Sequence, residues 1–190
     1  MKISTSCKIT LLGDAAVGKT ALRNRFMGKS FNTRYMITTG AAIASKMVNI
    51  GEEEIKFQVW DLAGQPRYEA VRGMYYRGAR GAVIVFDITR RETLESCSSW
   101  MQELWNNSGK GKVPLIILGN KLDLRDGCPE GVPPEVGEAL AKAASEDYSD
   151  NGISVSYLET SAKTGLNVDR AFFLLGKKIL TFIEGKRREG

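Results

Sequence analysis

The segment Gly13–Thr20 constrains this chain more than any other part of its sequence. It reads G-D-A-A-V-G-K-T, which matches the phosphate-binding loop pattern G-x-x-x-x-G-K-[S/T]. That pattern requires a strand before it and a helix after it. The apolar residues of Cys7–Leu12 predict a buried strand, and Ala21–Met27 is rich in residues that favour helices. The context therefore favours a phosphate loop, whose backbone N–H groups bind phosphate at a helix N-terminus, over a bare strand–helix turn.

Two side chains at the end of the phosphate loop carry charge and metal chemistry. Lys19 would place a positive charge on the terminal phosphates, and the Thr20 hydroxyl is a ligand that Mg²⁺ accepts. The methyl groups of Ala15 and Ala16 stand where a γ-phosphate and an attacking water must fit, so we expect the loop to affect turnover as well as affinity. The predicted nucleotide contacts from this segment are Asp14, Ala15, Ala16, Val17, Gly18, Lys19, Thr20 and Ala21.

The composition fits one globular domain and removes several kinds of chemistry. The 190 residues are 43% apolar and 26% charged, which predicts a single domain over 1–190, with a core at about 7–183 and a short basic tail at 184–190. The sequence contains no histidine, which excludes histidine metal ligands and Ser–His or Cys–His nucleophiles. Catalysis must therefore use backbone amides, Lys, Gln, carboxylates and a bound metal.

Charge and cysteine usage indicate a cytoplasmic location. The net charge of +5 is modest, and part of the basic excess lies at the C-terminal end. No aromatic residues alternate with these basic residues, so we expect no nucleic-acid binding and at most a weak membrane contact. The cysteines Cys7, Cys97 and Cys128 lack metal-type spacing and are expected to be reduced. No apolar run is long enough to cross a membrane.

The order of predicted elements indicates an α/β fold in three layers. Apolar runs predict strands at Cys7–Leu12, Ile43–Ile50, Ile55–Trp60, Gly81–Phe86, Val113–Leu118 and Ile153–Leu158. The second and third of these strands would form an antiparallel hairpin. Helical patterns follow the other strands, for example at 89–107, 133–147 and 166–183. We therefore expect a six-stranded, mostly parallel sheet with one antiparallel strand, covered by about five helices.

The segment Asp61–Gln65 reads D-L-A-G-Q directly after a predicted strand. Asp61 can hold Mg²⁺ through a water, the Gly64 amide can approach the γ-phosphate, and Gln65 can orient an attacking water. An aspartate helix cap with a glycine turn is the alternative, and the presence of the phosphate loop argues against it. Pro66 is suited to the first position of a helix.

Two threonines before Gly40 offer a further hydroxyl ligand for the metal. One of them would complete the Mg²⁺ shell only when the γ-phosphate is present, which would make the segment a switch. The spacing from Phe31 favours Thr38, and Thr39 is the alternative. Phe31 lies in a polar segment, 28–35, where it would either cover the base or anchor the loop, and the sequence supports both equally.

The sequence N-K-L-D at 120–123 favours guanine over adenine. The Asp123 carboxylate can accept hydrogen bonds from the guanine N1–H and exocyclic amine, whereas adenine offers no such pair of donors. Lys121 can lay its stem over the base, and Asn120 can tie this loop to the phosphate loop. The predicted contacts after the last strand are Ser161, which shapes the loop, the Ala162 N–H, which can donate to guanine O6, and Lys163, which flanks the base.

These motifs together resemble those of the Ras superfamily of small GTPases, over essentially the whole chain from Cys7 to about Ile183. Five of them occur in order at matching spacing: G-D-A-A-V-G-K-T, T-T-G, W-D-L-A-G-Q, N-K-L-D and E-T-S-A-K. The segments Trp60–Tyr68 and Met74–Ala79 are similar to the Rab family, and Thr38–Ile43 resembles an endosomal branch of that family.

The resemblance implies a small G domain that binds GTP or GDP with Mg²⁺. It implies a slow GTPase that acts as a two-state switch in membrane traffic, with catalysis by Gln65, Lys19, Thr38 and Gly64 and metal ligands Thr20, Thr38 and Asp61. Effectors, exchange factors and GTPase-activating proteins would recognise an apolar surface formed by Ile43, Trp60 and Tyr75. Partial burial of those three in hairpin and helix contacts is an equally supported alternative. A monomer is expected.

The sequence departs from the Rab pattern at several positions. Leu62 replaces a small threonine, Pro66 replaces a glutamate, and Thr39 replaces an isoleucine. Pro66 lacks an N–H and stiffens its segment. Leu62 and Pro66 together make a guanine-nucleotide-binding module with little or no hydrolysis the alternative function. The final residues Lys186–Gly190 contain no cysteine for prenylation. We therefore expect a cytoplasmic protein, with peripheral membrane association only through a partner or a missing lipidated tail.

Overall fold

A computed structural model describes residues 5–31, 38–109, 111–147 and 153–189. They form one six-stranded sheet in the order β2-β3-β1-β4-β5-β6. The strands are β1 Thr5–Leu12, β2 Ala41–Ile50, β3 Glu53–Leu62, β4 Gly81–Asp87, β5 Leu115–Asn120 and β6 Ser156–Glu159. Strand β2 runs antiparallel to β3, and every other neighbouring pair is parallel. The predicted fold class and hairpin are therefore confirmed.

Six α-helices lie in the described part of the chain. They are α1 Lys19–Phe26, α2 Glu69–Tyr76, α3 Arg91–Glu95, α4 Cys97–Asn107, α5 Pro134–Asp147 and α6 Val168–Glu189. The helix predicted over 89–107 is two helices here, separated at Ser96, which keeps helical backbone angles. Pro66 does begin a helix, but it is a short 3₁₀ turn, Pro66–Tyr68, and α2 follows it. A second 3₁₀ segment spans Leu122–Gly127.

Alternation along the central strands builds two apolar layers. On β4, Val83 and Val85 point into one layer, whereas Ile84 and Phe86 point into the other, and all of them are buried. Helices α1 and α6 cover the first layer. Helices α2, α4 and α5 cover the second. Because both faces of the sheet are covered, the chain forms the three layers that the sequence predicts.

Replacing Phe172 with alanine is expected to cost about 3–5 kcal/mol of unfolding free energy, because it leaves a cavity in the first layer. Phe172 on α6 is fully buried, and its ring stacks on Phe26 of α1 with centroids 3.8 Å apart. The neighbouring Phe173 is 38% exposed, so Phe173→Ala is the matched control and should cost much less. Urea unfolding of both variants at one fixed GDP concentration tests this. Equal losses would contradict the assigned packing.

The topology places the sequence motifs at one edge of the sheet. The loops after β1, β3, β4, β5 and β6 all leave from the carboxyl ends of these five strands, which are mutually parallel. In open α/β sheets, ligands bind beyond that edge. In the four stretches of chain that the structure describes, no helix has both the length and the apolar character for crossing a bilayer.

Candidate nucleotide-binding site

Two glycines allow the phosphate loop to pass between other parts of the chain. Gly13 has φ 131° and Gly18 has φ 102°, which are backbone conformations that residues with a side chain rarely adopt. A Cβ atom at Gly13 would lie 2.1 Å from the Val85 carbonyl oxygen. A Cβ at Gly18 would lie 2.2 Å from the Asn120 amide nitrogen. Glycine is therefore required at both positions of the motif by close contacts with β4 and with the last residue of β5.

Lys19 lies inside the phosphate loop, and its ammonium is nearly buried. Its Nζ donates to the carbonyl oxygens of Gly13, at 2.6 Å, and Asp14, at 2.7 Å. Burial lowers the pKa of Lys19 to about 8, although the negative charges of Asp61 and Asp14 act in the opposite direction. The ammonium is held where several negative phosphate oxygens would stabilise its charge.

Three oxygen-bearing side chains meet beside Lys19. The Thr20 Oγ1 donates to Asp61 Oδ2 at 2.6 Å and lies 2.9 Å from the Thr38 Oγ1. Asp61 is fully buried, which raises the pKa of its carboxyl, while the Thr20 hydrogen bond and the Arg23 guanidinium lower it. Thr39 is exposed, so Thr38 is the threonine that the structure brings to this cluster.

The cluster fits a hard divalent cation. Two hydroxyls and one carboxylate are the oxygen donors that Mg²⁺ prefers, and octahedral Mg²⁺ usually keeps several waters. The Asp61 Oδ1 is buried and has no hydrogen-bond partner within the residues that the structure describes. A buried carboxylate oxygen without a partner is costly, and a cation or its bound water would satisfy it.

Gly64 and Gln65 bring the segment after β3 against the phosphate loop. A Cβ on Gly64 would lie 2.5 Å from the Gly13 carbonyl oxygen, so only glycine allows this approach. The Gln65 carbonyl accepts a hydrogen bond from Arg72 Nη1 at 3.2 Å. Its side-chain Oε1 is buried and has no partner in the described residues. An amide oxygen in that position is available to a ligand or water.

The carboxyl end of β5 is tied to the phosphate loop by Asn120, the last residue of that strand. This residue is 1% exposed, and its Nδ2 donates to the Val17 carbonyl oxygen at 2.8 Å. Its Oδ1 accepts from the Thr160 hydroxyl at 3.3 Å and from the Ala162 N–H at 3.2 Å. The Ala162 N–H, which was predicted to donate to guanine O6, thus already has a partner in this structure. Donation to a base would require it to share or exchange that hydrogen bond.

The predicted base contacts lie together around Asp123. Its Oδ1 accepts from the Ser161 hydroxyl at 2.5 Å, and the Lys163 ammonium is 3.9 Å from its Oδ2. Ser161 is buried, so it orients the carboxylate from behind. Lys121 has φ 71° and extends its ammonium to Asp87 Oδ2 at 2.6 Å. The 3₁₀ segment that contains Asp123 starts directly after Lys121, at Leu122.

A single cavity of about 490 Å³ joins the phosphate end to the base end. Its walls are Ala15, Ala16, Gly18, Lys19, Thr20, Ala21, Asn24, Ser30, Phe31, Thr38, Leu62, Gly64, Gln65, Asn120, Lys121, Asp123, Leu124, Ala162 and Lys163. Four predicted site residues are not among them: Asp14, Val17, Asp61 and Ser161. Val17, Asp61 and Ser161 are buried behind the wall, whereas Asp14 is half-buried beside it. A volume of this size suits a small-molecule ligand.

Asp87 and Arg90 join the site, although no sequence motif indicated them. Asp87 is buried at the end of β4 and accepts from the Thr89 N–H and hydroxyl, from Arg90 Nε at 3.1 Å and from Lys121. Burial alone would raise its pKa, but the hydrogen bonds from Lys121 and Thr89 outweigh it and lower the pKa. Arg90 Nη2 also donates to the Ala15 carbonyl oxygen at 3.0 Å. Asp87 and Arg90 therefore link Lys121, in the loop after β5, to the phosphate loop.

The apolar surface predicted for partners is only partly exposed. Ile43 is 55% exposed and pairs with Trp60 across β2 and β3. Trp60 and Tyr75 are half-buried, with ring centroids 6.2 Å apart. Partial burial in hairpin and helix contacts therefore applies to Trp60 and Tyr75 but not to Ile43, and recognition of this surface by partners stays a prediction. The neighbouring Met74 is 70% exposed and extends the apolar area. Half of the polar segment 28–35 lies outside the described residues, since 32–37 are not covered.

Comparisons with known proteins show which family the chain is similar to. Residues 8–181 match the model of the Ras family. The chain is 42% identical to Ras-related protein RABA5b of Arabidopsis thaliana over 94% of its own length and 77% of the relative's. It is 37% identical to human Ras-related protein Rab-8B over 96% and 82% of the two lengths. For bovine Ras-related protein Rab-13 the identity is 39%, over 95% and 83%. The chain therefore belongs to the Ras family, and it is a Rab-like small GTPase.

Proposed function

We propose that this GTPase is a two-state switch that binds GTP or GDP with Mg²⁺, hydrolyses GTP slowly and acts in membrane traffic. One observation carries the proposal: a single cavity of about 490 Å³ has Lys19 and Thr20 at one end and Asp123 at the other. A charged loop for phosphates and a carboxylate for the guanine edge thus face the same space. The switch behaviour rests on Thr38, which contacts Thr20 in the proposed Mg²⁺ site and lies in a segment without regular secondary structure.

The site residues would perform hydrolysis by positioning and electrostatics. Lys19 and the amides of the phosphate loop hold the terminal phosphates, and Lys19 offsets the charge that develops on them. Mg²⁺, when bound at Thr20, Thr38 and Asp61, supplies further positive charge to the phosphate oxygens. The Gln65 Oε1 orients the water for attack on the γ-phosphate, and the Gly64 N–H donates to that phosphate. This assignment needs no covalent enzyme intermediate.

The alternative, a nucleotide-binding module with little hydrolysis, has its own observations. Leu62 is 1% exposed and lies in the cavity wall, where a larger apolar side chain alters the space near the phosphates. Pro66 starts the 3₁₀ turn directly after Gln65, so it limits how the backbone there can move. The geometry favours the switch because the Gln65 Oε1 has no partner in the described residues and can accept from a water.

One preparation of the purified protein tests both functions. Mass spectrometry of the released ligand should find GDP or GTP, and ADP or ATP alone would contradict the guanine assignment. The protein is then loaded with GTP and Mg²⁺, and phosphate release is followed in a single turnover. Release over minutes to hours supports the switch. Bound GTP that stays intact over that time supports the binding module.

Replacing Gln65 with leucine should lower the single-turnover hydrolysis rate by about tenfold or more, because the water loses its positioning group. Leucine has a similar size, so GTP and GDP affinities should change little. Gln102→Leu on the exposed face of α4 is the matched control and should hydrolyse GTP normally. Hydrolysis by the Gln65 variant at the unmodified rate would remove Gln65 from the proposed role.

Partners, location and assembly belong to the same proposal. We infer that effectors, exchange factors and GTPase-activating proteins bind the surface formed by Ile43, Trp60 and Tyr75, which the exposed Met74 extends. We infer a cytoplasmic monomer of one G domain over 1–190, which associates with membranes peripherally only through a partner or a missing lipidated tail. Its placement in an endosomal branch stays a prediction from Thr38–Ile43.

A further inference from the structure

Arg72 on α2 is a buried charge with a well-defined partner. Its side chain is nearly enclosed, and it forms two hydrogen bonds with Glu103 on α4. Nε donates to Oε1 at 2.9 Å, and Nη2 donates to Oε2 at 3.0 Å. This paired geometry uses the planar guanidinium fully and fixes its orientation. Burial would lower the pKa of Arg72, but the hydrogen bond and the charge of the Glu103 carboxylate raise it, so the guanidinium stays charged.

The same guanidinium reaches two parts of the nucleotide site. Its Nη1 donates to the Gln65 carbonyl oxygen at 3.2 Å. Its central carbon lies 4.4 Å from the Trp100 ring centroid, and the Trp100 Nε1 donates to Asp14 Oδ1 in the phosphate loop at 2.8 Å. A chain of direct contacts therefore runs from Gln65 through Arg72 and Trp100 to Asp14. The N–H donors of a guanidinium are costly to leave unpaired when buried, which opposes its release.

We propose that Arg72 is a positioning residue for GTP hydrolysis, which fixes the Gln65 backbone through a latch formed by Arg72, Glu103 and Trp100. The inference rests on the proposed role of Gln65. The Gln65 Oε1 is buried and has no hydrogen-bond partner in the described residues, so no described hydrogen bond to that atom fixes its direction. The Gln65 backbone carbonyl is the point at which Arg72 acts. Trp100 connects this point to the loop that holds the phosphates.

Arg67 supplies a control from the same segment. It lies in the 3₁₀ turn next to Gln65, is exposed, and contacts the Tyr68 ring at 4.9 Å. Arg67 therefore has the same charge as Arg72 and lies in the 3₁₀ turn directly before α2. If only charge near the site matters, Arg67→Ala and Arg72→Ala should behave alike. If the latch matters, only the second should affect hydrolysis.

The principal test is single-turnover GTP hydrolysis by Arg72→Ala, Arg67→Ala and Gln65→Leu, with GTP and GDP dissociation rates measured on the same proteins. We expect Arg72→Ala to hydrolyse GTP about five- to tenfold more slowly, with nucleotide dissociation within about twofold of the unmodified protein. Arg67→Ala should change neither rate. Arg72→Lys keeps the charge but not the fork, and its hydrolysis rate should fall between those of arginine and alanine.

Tryptophan emission gives a readout that is independent of activity. Because the Arg72 guanidinium lies over the Trp100 ring, Arg72→Ala should change the emission spectrum of the folded, GDP-bound protein. The same substitution in a Trp100→Phe background should produce no difference. Glu103→Gln should also slow hydrolysis, and combining it with Arg72→Ala should add little beyond the arginine variant alone.

The outcomes separate the latch from the proposed function. If Gln65→Leu slows hydrolysis but Arg72→Ala does not, the latch is overturned and the role of Gln65 stands. If neither slows hydrolysis, both assignments fail. If Arg72→Ala weakens nucleotide binding as much as it slows hydrolysis, or does not alter the Trp100 emission, the residue is merely structural. Should Arg72→Ala fold poorly, Arg72→Lys and Glu103→Gln carry the same comparison.

Discussion

Replacing Asp123 with asparagine is expected to lower the affinity for GTP and GDP by about a hundredfold or more. The carboxylate accepts two donors from the guanine edge in the proposed complex, and an amide presents an N–H₂ group to one of them instead. Loss of charge-assisted hydrogen bonds and an unmatched donor pair together cost several kcal/mol. The Ser161 hydroxyl donates to one oxygen of Asp123 at 2.5 Å. It should hold the remaining oxygen of the asparagine, so the new N–H₂ group faces the base.

The same geometry predicts what the variant gains. Xanthine carries a carbonyl where guanine carries the exocyclic amine, so the side-chain N–H₂ group introduced by Asp123→Asn has an acceptor there. Xanthosine triphosphate should therefore bind the variant more tightly than GTP does, while the unmodified protein shows the reverse order. Competition against one fluorescent nucleotide gives the affinities of GTP, xanthosine triphosphate and ATP on one scale. Asp126→Asn, an exposed carboxylate in the same 3₁₀ segment, is the control and should leave the order unchanged. Unaltered GTP affinity would contradict the base assignment.

The sequence was sufficient to predict the sheet and the edge of it at which the motifs meet. Continuous apolar runs such as Gly81–Phe86 occur in strands that are buried on both faces, and parallel strands send their carboxyl ends to one edge. Residues that are far apart in sequence therefore had to converge. Thr20 and Asp61 are 41 positions apart, yet their oxygens lie 2.6 Å from each other. The strand order determines which loops are neighbours at this edge, so motifs in those loops can be placed relative to one another from the sequence.

Contacts between side chains of packed helices could not be predicted. Trp100 was expected only as part of a helical segment, but its N–H reaches Asp14, 86 residues earlier. Arg72 and Glu103 belong to different helices, and their pairing depends on how α2 and α4 pack. No periodicity in the sequence reports a helix–helix register. Similarly, Asp87 closes an apolar strand without a motif, and its role depends on Lys121 arriving from the next loop.

Replacing Lys19 with methionine is expected to reduce GTP and GDP affinity by about a hundredfold or more without unfolding the protein. In the proposed complex the ammonium makes charge-assisted hydrogen bonds to terminal phosphates, and such bonds contribute about 1.5–3 kcal/mol each. Methionine fills similar space but offers no donor. In the nucleotide-free protein, burial disfavours the charged form of Lys19 and lowers its pKa to about 8. Lys19→Met also removes the hydrogen bonds to the Gly13 and Asp14 carbonyl oxygens, and removal of a charge that burial disfavours offsets their loss, so we expect the free fold to stay intact.

The two effects of Lys19→Met are measured separately. Titration with a fluorescent guanine nucleotide gives the affinity, and thermal unfolding of the nucleotide-free proteins gives the stability, so that ligand linkage does not mask the comparison. Lys29→Met replaces an exposed lysine just after α1 and should change neither quantity. If Lys19→Met binds nucleotide as tightly as the unmodified protein, the phosphates do not lie at this loop. If it loses affinity only because the free protein unfolds, Lys19 supports the loop rather than the ligand. Loss of affinity with an intact free fold assigns the Lys19 charge to the phosphates.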